Sequence, residues 1–170
     1  MYLNKTKKLC LAGLFAAIIY LTTAYFFHIP AGPNGGYLHF GDAFIYLAGS
    51  MLPAPYAVAA GAIGAGLSDV LTPGAIVWLP ATLIIKSLVA LSFTSRRKTI
   101  LCTRNSIALV LSCVITVVGY YIAGVLLTGD AAGGLVQIPV SLLQSAGSSL
   151  CYVLCGYLLD RVKIKSKLII

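Results

Sequence analysis

With 170 residues, 59% of them hydrophobic and only 9% charged, and a mean hydropathy of +0.97, the chain falls far outside soluble domains, where charged residues run at ~25%. It reads as an integral membrane protein, and because a spanning helix takes ~20 apolar residues, this length makes roughly five to seven spans in a single domain over residues 1–170. A net charge of +8 does not mark a nucleic-acid-binding face: the basic residues fall in three short clusters, Lys5 to Lys8, Arg96 to Arg104 and Arg161 to Lys167, with Lys86 alone outside them. By the positive-inside rule all three clusters belong in the cytoplasm, so an even number of crossings separates each from the next.

The first helix is expected from about Lys7 to His28, ended by Ile29-Pro30. Its basic start and apolar run imitate a signal peptide, but the run continues to Phe27 with no polar break after a small-residue cleavage site, so the helix is read as retained. Ala12, Gly13, Ala16 and Ala17 form two overlapping pairs of small residues four apart on its inner half. Such a face lets another helix approach closely, either from this chain or from a separate protein.

The stretch from Ala31 to Asp42 follows. Three glycines and a proline between Gly32 and Gly36 forbid a continuous helix, and in a membrane such backbone persists only when buried in protein or lining a watery cavity. With His28 before it and Asn34, His39 and Asp42 within it, the loop is expected to face a ligand; an ordinary connection is the alternative. Asp42, entering a helix, can also serve as an N-terminal cap.

A short second helix is expected from about Phe40 to Met51, stopped by Leu52-Pro-Ala-Pro55, and a third from about Tyr56 to Leu71, stopped by Thr72-Pro-Gly74. Both look short for full spans. The third carries small residues at Gly61, Ala62, Ala65 and Gly66. On a fourth, from about Ala75 to Thr94, Trp78, Thr82 and Lys86 share one face. A lysine that deep in a span is by default functional or paired with an acid, and snorkelling toward the cytoplasm is the alternative.

The fifth helix, from about Ser106 to Thr128, holds Tyr120 and Tyr121 between glycines near its outer end, where they either stack on a flat ring or sit at the membrane interface. After a turn from Gly129 to Gly134, a sixth runs from about Leu135 to Val162. It sets Gln137, Ser141, Gln144 and Ser148 on one face, which must look into the bundle or a cavity. The expected fold is thus an all-α compact bundle of six transmembrane helices. Four crossings and then two leave both termini cytoplasmic, with the Gly-rich loop and the turns at Asp69 to Gly74 and Gly129 to Gly134 outside.

Catalysis finds no foothold: the chain lacks Gly-x-Ser-x-Gly, His-Glu-x-x-His and phosphate-loop patterns, and it contains no Glu. His28, His39, Asp42 and Asp69 have no metal-ligand spacing, and Cys10, Cys102, Cys113, Cys151 and Cys155 sit in or beside apolar runs as small hydrophobes, so no metal is expected. The pattern is that of a binding protein and not an enzyme. A membrane scaffold whose polar stripes only pair helices is the competing class.

The run Gly36-Tyr-Leu-His-Phe-Gly-Asp-Ala-Phe-Ile-Tyr-Leu-Ala-Gly49, with Leu52-Pro-Ala-Pro-Tyr56, Gly61-Ala-Ile-Gly-Ala-Gly66, Asp69 and Pro80-Ala-Thr-Leu-Ile-Ile-Lys86, resembles the substrate-binding S components of energy-coupling factor (ECF) vitamin transporters. The likeness covers the chain from the first helix to about Leu91. It implies a subunit of a bacterial cell membrane that captures a water-soluble vitamin from outside, working with a transmembrane coupling protein and two ATPases. The family's small-residue motif, which meets the coupling protein, would fall on Ala12, Ala16 and their neighbours Gly13 and Ala17. ATP would be used by the partners, with no cofactor in this chain.

The resemblance is to the branch handling heteroaromatic precursors such as hydroxymethylpyrimidine or pyridoxine, whose pattern riboflavin and queuosine-precursor carriers share. A flat ring between Trp78 or Tyr121 and Tyr37, with Asn34, His39, Asp42, Gln137 and Gln144 around it, suits a neutral polar heterocycle.

Overall fold

The computed structural model describes residues 4–26, 29–30 and 37–168, with the side chains of Pro30, Tyr37 and Leu168 left aside. His28 and Asn34 therefore lie outside the described residues, and Tyr37 is described through its backbone alone.

The chain is built from α1 (Lys5–Ala24), a two-residue antiparallel pair of β1 (Ile29–Pro30) with β2 (Tyr37–Leu38), α2 (Asp42–Met51), α3 (Ala54–Leu71), a 3₁₀ turn (Ala75–Trp78), α4 (Leu79–Ser92), α5 (Thr103–Thr128), α6 (Ala131–Leu135), α7 (Gln137–Arg161) and α8 (Ile164–Leu168). In the β pair, Ile29 faces Leu38 and Pro30 faces Tyr37. Five helical stretches among the described residues are long and apolar enough to cross a membrane: α1, α3, the 3₁₀ turn with α4, α5, and α6 with α7.

Proline and glycine set most of the boundaries. Leu52 and Thr72 each precede a proline and are extended, which ends α2 and α3, because the proline ring disfavours helical backbone in the residue before it. Gly129 closes α5 in the left-handed region, at φ 71°.

Three expectations change. Helix four does not run unbroken from Ala75, because Pro80 has no N–H to give to the carbonyl four residues back; Ala75–Trp78 tightens into 3₁₀ instead. The segment from Gly129 to Gly134 is largely helical, because the Asp130 carboxylate accepts the Ala132 N–H at 3.3 Å and starts α6. The third helix, at 18 residues, is also longer than expected.

α1 packs on α3, α3 on α4, α4 on α5 and α5 on α7, while α2 touches α1, α3, α4 and α7. Eight residues of α2, Asp42, Ala43 and Ile45 to Ser50, are buried. Ten residues rise only about 15 Å, half of a hydrocarbon core of ~30 Å. α2 is therefore an internal rod walled by longer helices, whose outward faces expose apolar side chains such as Leu14, Ile63, Ile84, Val110 and Leu150.

The far end of this rod is tied down by polar groups. Lys165 Nζ donates to the carbonyls of Ser50, Ser95 and Arg97 at 2.7–3.1 Å. Asp160 accepts the N–H groups of Ile100 and Leu101 at 2.7 and 2.9 Å, and Asn105 donates to Ile100 O at 2.9 Å. The basic segment between α4 and α5 is thereby fastened to α2, α5, α7 and α8. Asp160→Ala leaves two backbone donors without their acceptor and is expected to lower stability by about 1–3 kcal/mol, read by denaturant titration in micelles.

Candidate ligand-binding site

The opposite end of the rod opens onto a cavity of about 40 Å³. Each wall comes from a different element: His39 after β2, Asp69 at the end of α3, Trp78 from the 3₁₀ turn, Thr82 and Lys86 on α4, Tyr120 on α5, and Gln137, Ser141 and Gln144 on α7. Helical period explains the α4 and α7 sets, since residues three or four apart share a face.

At its base lies an ion pair. Lys86 Nζ is 2.8 Å from Asp42 Oδ1 and 2.9 Å from Oδ2, with both side chains 0% exposed. Taking two charges out of water costs several kcal/mol for each, so neither would be tolerated here alone. Lys86 does not snorkel. Asp42 does not cap α2 either: its carboxylate is spent on Lys86 and on Gln144, whose Nε2 donates to Oδ2 at 2.9 Å. The ammonium also lies 5.1 Å from the centre of the Tyr120 ring, a favourable cation–π distance.

Above the pair the groups are mixed. Trp78 and Tyr120 meet edge to face at 6.0 Å, and Tyr120 OH lies 3.2 Å from Thr82 Oγ1. The Gly41 N–H donates to His39 Nδ1 at 3.1 Å, so a neutral His39 ring carries its proton on Nε2. Gln137 is 5% exposed, and its Nε2 has no hydrogen-bond partner among the described residues. A buried donor of that kind is costly unless something accepts from it.

His39, Trp78, Gln137 and Gln144 are thus brought together as expected from the sequence, with Asp42 beneath them. Tyr121 is a correction. It packs on α6, where a Cβ added to Gly134 would come within 2.9 Å of its ring, and Tyr120 faces the cavity in its place. One residue turns a helix by about 100°, enough to exchange the two. The signal that selects Tyr120 was in the sequence: Ser112, Thr116 and Tyr120 recur every four residues, and the first two are fully buried. Lys86 and Asp69 stood out as polar residues, yet nothing local assigned them to this cavity.

The small-residue face of α1 divides. Ala12 is buried in the core, and Ala16 presents its carbonyl 2.6 Å from where a Gly64 Cβ would stand, so these two belong to the seam between α1 and α3. Ala12, 9% exposed, has little surface left for a partner protein. Gly13 and Ala17 are exposed on the other side, and a Cβ on Gly13 would meet nothing within 4 Å.

No curated protein and no solved structure matches the chain at the significance required of either comparison. The family model described as ECF-type riboflavin transporter, S component, does match, over residues 3–160, and with nearly the whole chain covered, this protein belongs to that family.

Proposed function

We propose that this protein captures a small planar heteroaromatic vitamin or precursor, of the hydroxymethylpyrimidine or pyridoxine kind, for uptake across a bacterial cell membrane. Membership of the family, which is one of transporter subunits and not of enzymes, supports a multi-pass subunit that supplies substrate specificity. The observation that carries the finer reading is the cavity itself. It has an aromatic edge at Trp78 and Tyr120 and offers polar groups from His39, Gln137 and Gln144 above an internally neutralised ion pair, with the Asp69 carboxylate on the α3 wall. Such a lining suits a flat, uncharged, hydrogen-bonding ring. Asn34 and Tyr37 would complete it from the loop.

Riboflavin is the second reading, favoured by the description of the family model. Mass spectrometry of the purified, denatured protein, followed by titration with hydroxymethylpyrimidine, pyridoxine, riboflavin and a queuosine precursor, separates these. A protein that retains and binds none of them overturns the reading of the cavity as a site for this group of rings.

Counting α2 as the second of six helices gives the even crossings that the basic clusters require, with both termini cytoplasmic and the cavity outside. No cofactor is assigned to this chain; ATP would be spent by two ATPase partners through a coupling protein. The exposed Gly13 and Ala17 are the residues offered to that protein, since small side chains permit close helix approach. Gly13→Trp is expected to leave vitamin binding intact while abolishing copurification with the coupling protein and uptake.

A further inference from the structure

The reading of the cavity as a vitamin site leaves open what its polar groups demand of a ligand, and the ion pair answers one part of that. An amide side chain is ambiguous, because rotating it by half a turn exchanges a donor for an acceptor. Gln144 has lost that ambiguity. Its partner is a carboxylate that Lys86 touches through both oxygens, at 2.8 and 2.9 Å, and an ionised carboxylate only accepts. The amide nitrogen must therefore point at Asp42, at 2.9 Å, spending one of its two N–H groups there, and this fixes the carbonyl Oε1 as the acceptor that Gln144 offers the cavity it lines.

We infer that Asp42 and Lys86 are positioning residues which hold Gln144 as a fixed acceptor, so that the site selects heterocycles presenting a ring N–H or amino donor at that point. Resting as it does on the vitamin-site reading, this adds polarity to it. Asp42 does not need to touch the ligand. Gln137, two turns earlier on the same face of α7, has an Nε2 without a partner among the described residues, so its amide is free to turn and donates or accepts as the ligand requires; the fixed demand is made at Gln144. Ring systems with an amide-like or aminopyrimidine edge carry such a donor; a ring substituted only with alkyl groups does not.

The test compares parent compounds with analogues lacking the donor: hydroxymethylpyrimidine against the analogue in which a methyl group of similar size replaces its amino group, and riboflavin against the analogue methylated on its imide nitrogen. Wild-type protein is expected to bind one parent and to bind that parent's analogue roughly 5- to 150-fold more weakly, the effect of leaving a buried acceptor unmet. In Asp42→Asn/Lys86→Met the asparagine can donate as well as accept, Gln144 is free to turn, and the gap should close.

Should that variant not fold, Gln144→Met, which keeps the ion pair, must close the same gap. Equal affinity of the wild type for parent and analogue overturns the inference and leaves the transport reading standing. So does a gap that survives in a folded variant. Binding of neither parent overturns the inference, and if pyridoxine and the queuosine precursor also fail to bind, the reading of the cavity as a site for such rings falls with it.

Discussion

Lys86→Met should cost this protein about 3–5 kcal/mol, because it strands a carboxylate that is 0% exposed. Asp42→Asn should cost a similar amount by stranding the ammonium. The double variant Asp42→Asn/Lys86→Met should recover most of the loss, since neither charge of the pair is then left stranded and asparagine can still bond to Gln144. Unfolding in mixed micelles with increasing dodecyl sulfate reads all three. Trp78, the only tryptophan, stands against Tyr120 beside the pair and reports the transition by its fluorescence. Additive losses in the double variant would mean that the two groups do not act as a pair.

The second large effect is expected at Gly64. Here α3 passes so close to α1 that a Cβ would sit 2.6 Å from Ala16 O and 2.8 Å from Ile19 Cβ. One of those atoms is backbone, so a rotamer change cannot make room and the helices must part. Gly64→Ala is expected to lose about 1–3 kcal/mol and Gly64→Leu more, despite the better intrinsic helix propensity of both residues. Gly13→Ala, on the open side of the same contact, should stay within about 0.5 kcal/mol of wild type. Measured side by side, the pair separates internal packing from docking: a Gly64 variant loses fold and vitamin binding together, while a Gly13 variant retains both.

The long helices were legible because their signals are local. Apolar runs, Pro53, Pro73 and Gly129 mark where they stop, and the structure ends α2, α3 and α5 there. Gln137 and Gln144 were found by period alone. The pairing of Asp42 with Lys86 was not, since 44 residues separate them and a sequence records which residues need partners without recording which partner arrives. The same limit explains α1. Spacing shows that Ala12, Gly13, Ala16 and Ala17 form a small-residue surface, but only the position of Gly64 divides it into a buried half and an open one. At Tyr120 and Tyr121 the two candidates were adjacent, and the buried Ser112 and Thr116 on the same face decided between them.

The shortness of α2 bears on how the protein is made. Ten residues are too few to be released into lipid as an independent span, and an aspartate at their head makes release costlier still. While the chain is being synthesised, α2 must wait beside α1 and α3, which are its neighbours in sequence and close two of its sides. Lys86 on α4 then neutralises Asp42, but the remaining side stays open until α7 emerges with Gln144. Lys165 on α8 seats the other end of α2 only after that. The interior of this protein is thus assembled last from its two ends of sequence, and a chain released before α7 would carry its most deeply buried helix uncovered into the bilayer.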